Sequence, residues 1–194
     1  MTIAVSKLSA FVGFLACFAA PAVADTKVIL GIFYYGCDEL CLGVQQELAD
    51  SGFDVEMDVR NLEQDITRLP SLIEEARARK VDLVITHGTS ATLGVIGRLE
   101  DAGDPRFLSD IPVVFTQVAD PFGTGIAETF QRSGRDNVAG TFNRVPEAVN
   151  IEVVRSYDPG FKRLGLLYNS NEENSVIKRD ELAALAPTLG PPVT

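Results

Sequence analysis

IPVVFTQVADPFGTG, residues 111–125, carries the reading of the fold. A β-branched apolar run of strand length stops at Asp120-Pro121, and two closely spaced glycines, Gly123 and Gly125, follow it. Such a run is a buried strand, and glycines directly after it let backbone approach a neighbour or a ligand closely. The stretch reads as the floor of a ligand site at the end of a strand.

Working outward, the same unit recurs. KVILGIF at 27–33 and VDLVIT at 81–86 are buried-strand runs, each followed by a polar, glycine-bearing turn and then a helical pattern. In the first unit Leu40, Val44 and Leu48 recur at helical spacing, with Asp38 as cap and Gly52 as stop. Residues 53–59 alternate apolar with acidic and read as a strand towards an edge of the sheet. Residues 62–80 read as a helix that Pro70 kinks or breaks. ATLGVIGRL at 91–99 is helical, 101–109 a polar excursion, 138–142 a fifth strand, and 146–157 a helix with Pro146 in its first turn. A sixth strand is expected at 162–168, then a turn at 169–173 and a helix from about 174 to 186.

Strands alternating with helices predict an α/β fold, a mainly parallel sheet with helices on both faces. Right-handed crossovers put every strand-to-helix turn on one edge, and ligands sit outside those carboxyl ends where the strand order reverses.

Before the first strand, Lys7 is the only charge in residues 1–24, and an apolar stretch from Leu8 to Ala20 leads into Pro21-Ala22-Val23-Ala24. That is the pattern of a secretory signal peptide cut after Ala24, which predicts export to the periplasm. A retained anchor, or lipid attachment at Cys17, is the alternative. Removing 24 of the 194 residues leaves 170, with 16 Lys+Arg against 27 Asp+Glu, and no basic stripe interleaved with aromatics. Nucleic acid is not an expected partner.

The remaining cysteines, Cys37 and Cys41, leave three readings open: a disulfide, two free thiols, or a metal or redox role. Four apart, they bridge readily only if Cys37 precedes the helix. With one histidine in the chain, no usual zinc set can be assembled, and no metal is expected.

The turns carry no phosphate fingerprint: YYGCDE after the first strand lacks the G-x-G-x-x-G spacing, and neither a P-loop nor a G-x-S-x-G elbow occurs. No cofactor and no enzymatic activity are expected. His87 reads as a satisfied or solvated turn histidine, since no nucleophile partner is indicated for it. The turns instead offer non-covalent recognition. Thr89 and Ser90 stand where a helix begins, and either hold a carboxylate or simply cap the helix. Tyr34 and Tyr35 either stack on a ligand or pack against neighbouring loops. Asp120 either receives an ammonium group or caps the segment after Pro121. Together these favour a small zwitterion over a phosphate.

The spaced combination of IPVVFTQVADPFGTG, NVAGTF, a Pro-Glu-initiated helix and KRLGLLYNSNEENS resembles the ABC-transporter substrate-binding protein family that includes the periplasmic components of tryptophan and tyrosine importers. The resemblance runs from about Lys27 to the C-terminus. It implies a two-lobed type I periplasmic-binding-protein fold that closes over a small ligand such as an amino acid and delivers it to an inner-membrane permease, the full-length protein being monomeric. Carried over by position, it implies ligand contacts at Tyr34, Tyr35 and Gly36, at Gly88, Thr89 and Ser90, at Val118 and Asp120, and at Asn169, Glu172 and Asn174. Ser170, Asn171 and Glu173 depart from the family's usual Pro-Gly before the glutamate and Pro after it, and His87 is an unusual occupant of its turn.

The resulting organisation is a signal peptide at 1–24, an N-terminal ligand-binding lobe at 25–144, and a crossing helix with an incomplete C-terminal lobe at 145–194. The chain therefore reads as a truncated gene product or fragment, expected to lack tight cleft closure. Three alternatives are set beside the importer reading: an extracytoplasmic sensor domain, a non-functional fragment, and an α/β enzyme using Asp120 or the cysteine pair.

Overall fold

The computed structural model describes residues 26–188. The signal-peptide pattern, Cys17 and residues 189–194 lie outside them. The elements run β1 (Lys27–Phe33), α1 (Glu39–Asp50), β2 (Val55–Asn61), α2 (Leu69–Arg79), β3 (Leu83–His87), α3 (Thr89–Ile96), β4 (Val113–Val118), β5 (Val138–Phe142), α4 (Glu147–Tyr157) and α5 (Glu173–Leu185). Short 3-10 turns precede α2 and follow α3 and α5.

All five strands are parallel, in the order β2-β1-β3-β4-β5. The acidic, alternating β2 lies at an edge, as its pattern predicts, because only a half-covered strand tolerates Glu56, Asp58 and Arg60. β1 and β3, the continuous apolar runs, occupy the interior. One face packs Leu30, Ile32, Val84, Val113 and Phe115 against Leu69, Leu72, Ile73, Ala76 and Val95 of α2 and α3. On the other face α1 buries only Cys41. Asp38 caps α1, its Oδ1 accepting from the N–H groups of Leu40 and Cys41 at 3.1 and 3.2 Å.

The structure corrects three sequence expectations. The helix expected over 62–80 is only Leu69–Arg79, because Pro70 lies in its first turn, where the missing N–H costs nothing, and starts the helix instead of kinking it. The helix expected at 91–99 begins two residues earlier, at Thr89, and ends at Ile96, where Gly97 turns to φ 65°. No strand forms at 162–168: these residues pair with nothing in the sheet, and Leu167 is fully exposed. A strand-like pattern states a capacity for pairing, and no partner strand exists for it among the described residues.

β2 is stitched to α2 by charge. Arg60 and Arg79 both reach Glu75, at 2.6 and 3.0 Å, and Arg79 also pairs with Asp58. The hydrogen bond from Arg60, and secondarily that from Arg79, holds the Glu75 carboxyl below its usual pKa. A depressed carboxyl stabilises the fold above its unfolded-state pKa, and that contribution disappears as pH falls through the folded-state value. The urea midpoint should therefore drop on acidification from about pH 5 to pH 3, and Glu75→Gln should flatten that drop while lowering stability at pH 7 by about 1 kcal/mol. An unchanged acid profile in Glu75→Gln would remove the ion pair from the account.

Candidate functional site

The strand order places β2 on one side of β1 and β3 on the other, so the crossovers leaving β1 and β3 diverge and open a crevice between their carboxyl ends. A cleft of about 250 Å³ lies there. Its walls come from the turn after β1, the start of α3, the end of β4, the segment after β5, and α5.

Five of the residues named from sequence on the sheet side line this cleft: Tyr34, Tyr35, Gly88, Thr89 and Ser90. Gly88 occupies the N-cap position of α3 at φ 90°, a conformation that L side chains rarely adopt, and no side chain caps the helix. This overturns the reading of Thr89 and Ser90 as ordinary caps. Thr89 Oγ1 instead accepts from the Ala119 N–H at 3.4 Å, tying α3 to the end of β4. The first turn of α3 thus meets the cleft without a capping side chain, and its positive dipole end favours an anion there.

Tyr34 and Tyr35 meet edge to face, with centroids 4.8 Å apart. Tyr34 packs partly against the core, whereas Tyr35 is exposed. Partial desolvation of its hydroxyl end at the cleft, and then the nearby Glu172 carboxylate, raise the Tyr35 pKa although most of the side chain is exposed. Its hydroxyl reaches Glu172 Oε1 at 3.5 Å. Glu172 and Asn174, at the start of α5, complete the named set on the opposite wall.

Four named residues are not part of this lining. Val118 is fully buried in the core. Gly36, at φ 104°, packs against the Asn61 side chain. Asp120 is buried, accepts from the Gly123 N–H at 2.9 Å and pairs with Arg144. Its charge is therefore satisfied within the chain, which favours the capping role over a free ammonium receiver. Asn169 shapes its own turn, Oδ1 accepting from the Asn171 N–H and its carbonyl from the Glu172 N–H.

The cleft also holds residues to which the sequence reading gave no ligand contact: His87, Gln117, Ala119, Asn143, Arg144 and Lys178. Lys178 follows Asn174 by one helical turn, a spacing that puts both on one face and was available as a signal. Gln117 was not readable, because its place depends on a φ of 51° where the β4–β5 pairing is interrupted. Arg144 joins Asp120 to Glu181 of α5, and Lys178 stands 3.9 Å from buried Glu147.

His87 is neither solvated nor satisfied. It is 1% exposed, its ring stacks on Phe33 with centroids 5.4 Å apart, and neither ring nitrogen makes a hydrogen bond. Its Nε2 lies 3.5 Å from Asp38 Oδ2. Nearby, Cys37 and Cys41 form a disulfide with Cα atoms 5.0 Å apart, possible because Cys37 precedes α1. A second, aromatic cavity of about 330 Å³ lies elsewhere, under β4 and β5, lined in part by Phe115, Phe122, Phe130 and Phe142.

Residues 27–193 match the family model described as ABC transporter substrate binding protein. The chain belongs to that family. Among curated proteins it is 26% identical over 149 residues to a tyrosine-binding protein of Clostridioides difficile (strain R20291), covering 75% of this chain and 40% of that protein. Among solved structures it is similar to an ABC domain in complex with L-Trp from Streptococcus pneumonia, with 27% identity, a TM-score of 0.72, and coverage of 88% of this chain and 56% of that one. It is also similar to the ligand-free, open structure of a substrate-binding protein with adhesive properties from Clostridium difficile, with 25% identity, a TM-score of 0.63, and coverage of 87% and 56%. The fold is that of type I periplasmic binding proteins, and the chain spans about half the length of the relatives it matches.

Asp38 holds both the α1 cap and the carboxylate beside His87. Asp38→Ala should cost about 1 kcal/mol in urea unfolding, the usual value of a helix cap. A loss below a few tenths of a kcal/mol would show that α1 does not depend on it.

Proposed function

We propose that the chain is the solute-binding part of an extracytoplasmic substrate-binding protein serving an ABC importer, and that the cleft takes a small zwitterion of the amino-acid class. The observation that carries this reading is the pairing of opposite ends across one cleft: an α3 N-terminus with no capping side chain on one wall, and the Glu172 carboxylate on the other. A ligand carboxylate placed at Gly88, Thr89 and Ser90 gains backbone N–H donors and the helix dipole. Its ammonium then lies towards Glu172 and Asn174, and an apolar or aromatic side chain towards Tyr34 and Tyr35.

Relatives described as binding tyrosine and tryptophan support this class of ligand. The signal-peptide pattern supports delivery outside the cytoplasmic membrane, and the family supports an inner-membrane permease as partner. We read the role as binding without catalysis, since the cleft's chemistry is charge complementarity.

The test is a thermal-shift screen of L-amino acids, with L-tryptophan and L-tyrosine as first probes. A ligand present at 100 times its Kd should stabilise the fold by about 2.7 kcal/mol. Ser90→Ala should weaken binding about 5-fold and Glu172→Gln about 10-fold, the range for lost neutral and charge-assisted hydrogen bonds. Absence of stabilisation by any amino acid, or binding indifferent to Glu172→Gln, would overturn the proposal.

A further inference from the structure

Glu172 and Asn174 line the cleft, and the residue between them does not. Glu173, the first residue of α5, instead meets Arg98, whose Nη2 donates to both carboxylate oxygens at 2.8 and 2.6 Å. Arg98 is itself held on two sides. Its Nη1 donates to the Thr124 carbonyl in the Asp-Pro turn, and its backbone N–H donates to Asp101 Oδ2 at 2.8 Å. The side chain runs alongside Gly125, whose φ of 71° shapes that turn.

Besides this grip, the start of α5 has only longer polar contacts to the rest of the described residues: Tyr35 with Glu172 at 3.5 Å and Lys178 with Glu147 at 3.9 Å. The helix buries only Leu182, near its far end, and no side chain caps its N-terminus. Its other charged anchor to the sheet edge, Glu181 with Arg144, lies eight residues on, about 12 Å along the axis at 1.5 Å per residue. The residues leading into it, 158–171, form neither helix nor strand.

We propose that Arg98 is a positioning residue for the cleft: by gripping Glu173 from behind, it sets the first turn of α5 and so aims Glu172 and Asn174 at the ligand. The inference rests on the reading of the cleft as the ligand site. Arg98 touches no ligand; it transmits the rigidity of the α3–β4 edge to a helix that packing barely holds.

The test uses the full chain and two readouts. Hydrogen exchange of the amides at 173–178 should accelerate about 5-fold in Arg98→Gln and in Glu173→Gln, a modest local loosening. The double variant should be no faster than either single one, since both remove the same contact. The charge-exchanged pair, R98E with E173R, should recover at least half of the protection. Affinity for L-tryptophan or L-tyrosine should fall about 5-fold in Arg98→Gln and recover in the exchanged pair, which a general loss of stability would not reproduce. If neither amino acid binds the wild-type chain, the ligand reading fails, and the exchange rates alone judge the grip. Unchanged exchange in both single variants, or additive effects in the double, would overturn the proposal.

Discussion

The structure depends on parallel pairing of β1 with β2 on one flank and with β3 on the other. Parallel strands need crossovers, and crossovers that leave neighbouring strands in opposite directions cannot cover the space between the strand ends. The crevice is thus a consequence of strand order before any cleft residue is chosen. Sequence decides only what is presented there: a glycine-started helix after β3, a tyrosine pair after β1, and a positive-φ glutamine late in β4.

Two kinds of force hold the two sides of this molecule. The sheet and its α2/α3 face are fixed by apolar burial. α5, by contrast, stays at the cleft through Arg98–Glu173, Arg144–Glu181 and the longer Tyr35–Glu172 contact, while burying one leucine. Ion pairs of partly exposed groups are weak and salt-sensitive compared with a packed face, so this wall is held less firmly than the sheet.

Much of this was legible in the chain. The apolar runs that become β1, β3 and β4, the acidic alternation of the edge strand β2, and the turns at Tyr34 and Gly88 follow from hydrophobic period and glycine placement. What sequence could not show is long-range compensation. Asp120 looks like a free carboxylate at a strand end, yet Arg144, 24 residues on, neutralises it. His87 looks like an ordinary turn residue, yet register with Phe33 buries it beside the start of α1, with neither ring nitrogen hydrogen-bonded and Asp38 3.5 Å from its Nε2. Residues 162–168 have a strand's pattern but not its neighbour. Glu173 was visible as a departure from the family's usual residues, whereas its meaning required Arg98, 75 residues away, to be brought beside it.

The central claim is that the crevice between β1 and β3, and not the aromatic cavity under β4 and β5, is where a small zwitterion binds. An amide NMR titration of the full chain with L-tryptophan, and in parallel with L-tyrosine, tests this most directly. The account predicts that the largest shifts fall on Tyr34 and Tyr35, on Gly88 to Ser90, and on Glu172 to Asn174. Shifts centred on Phe122, Phe130 and Phe142, or none at saturating amino acid, would contradict it.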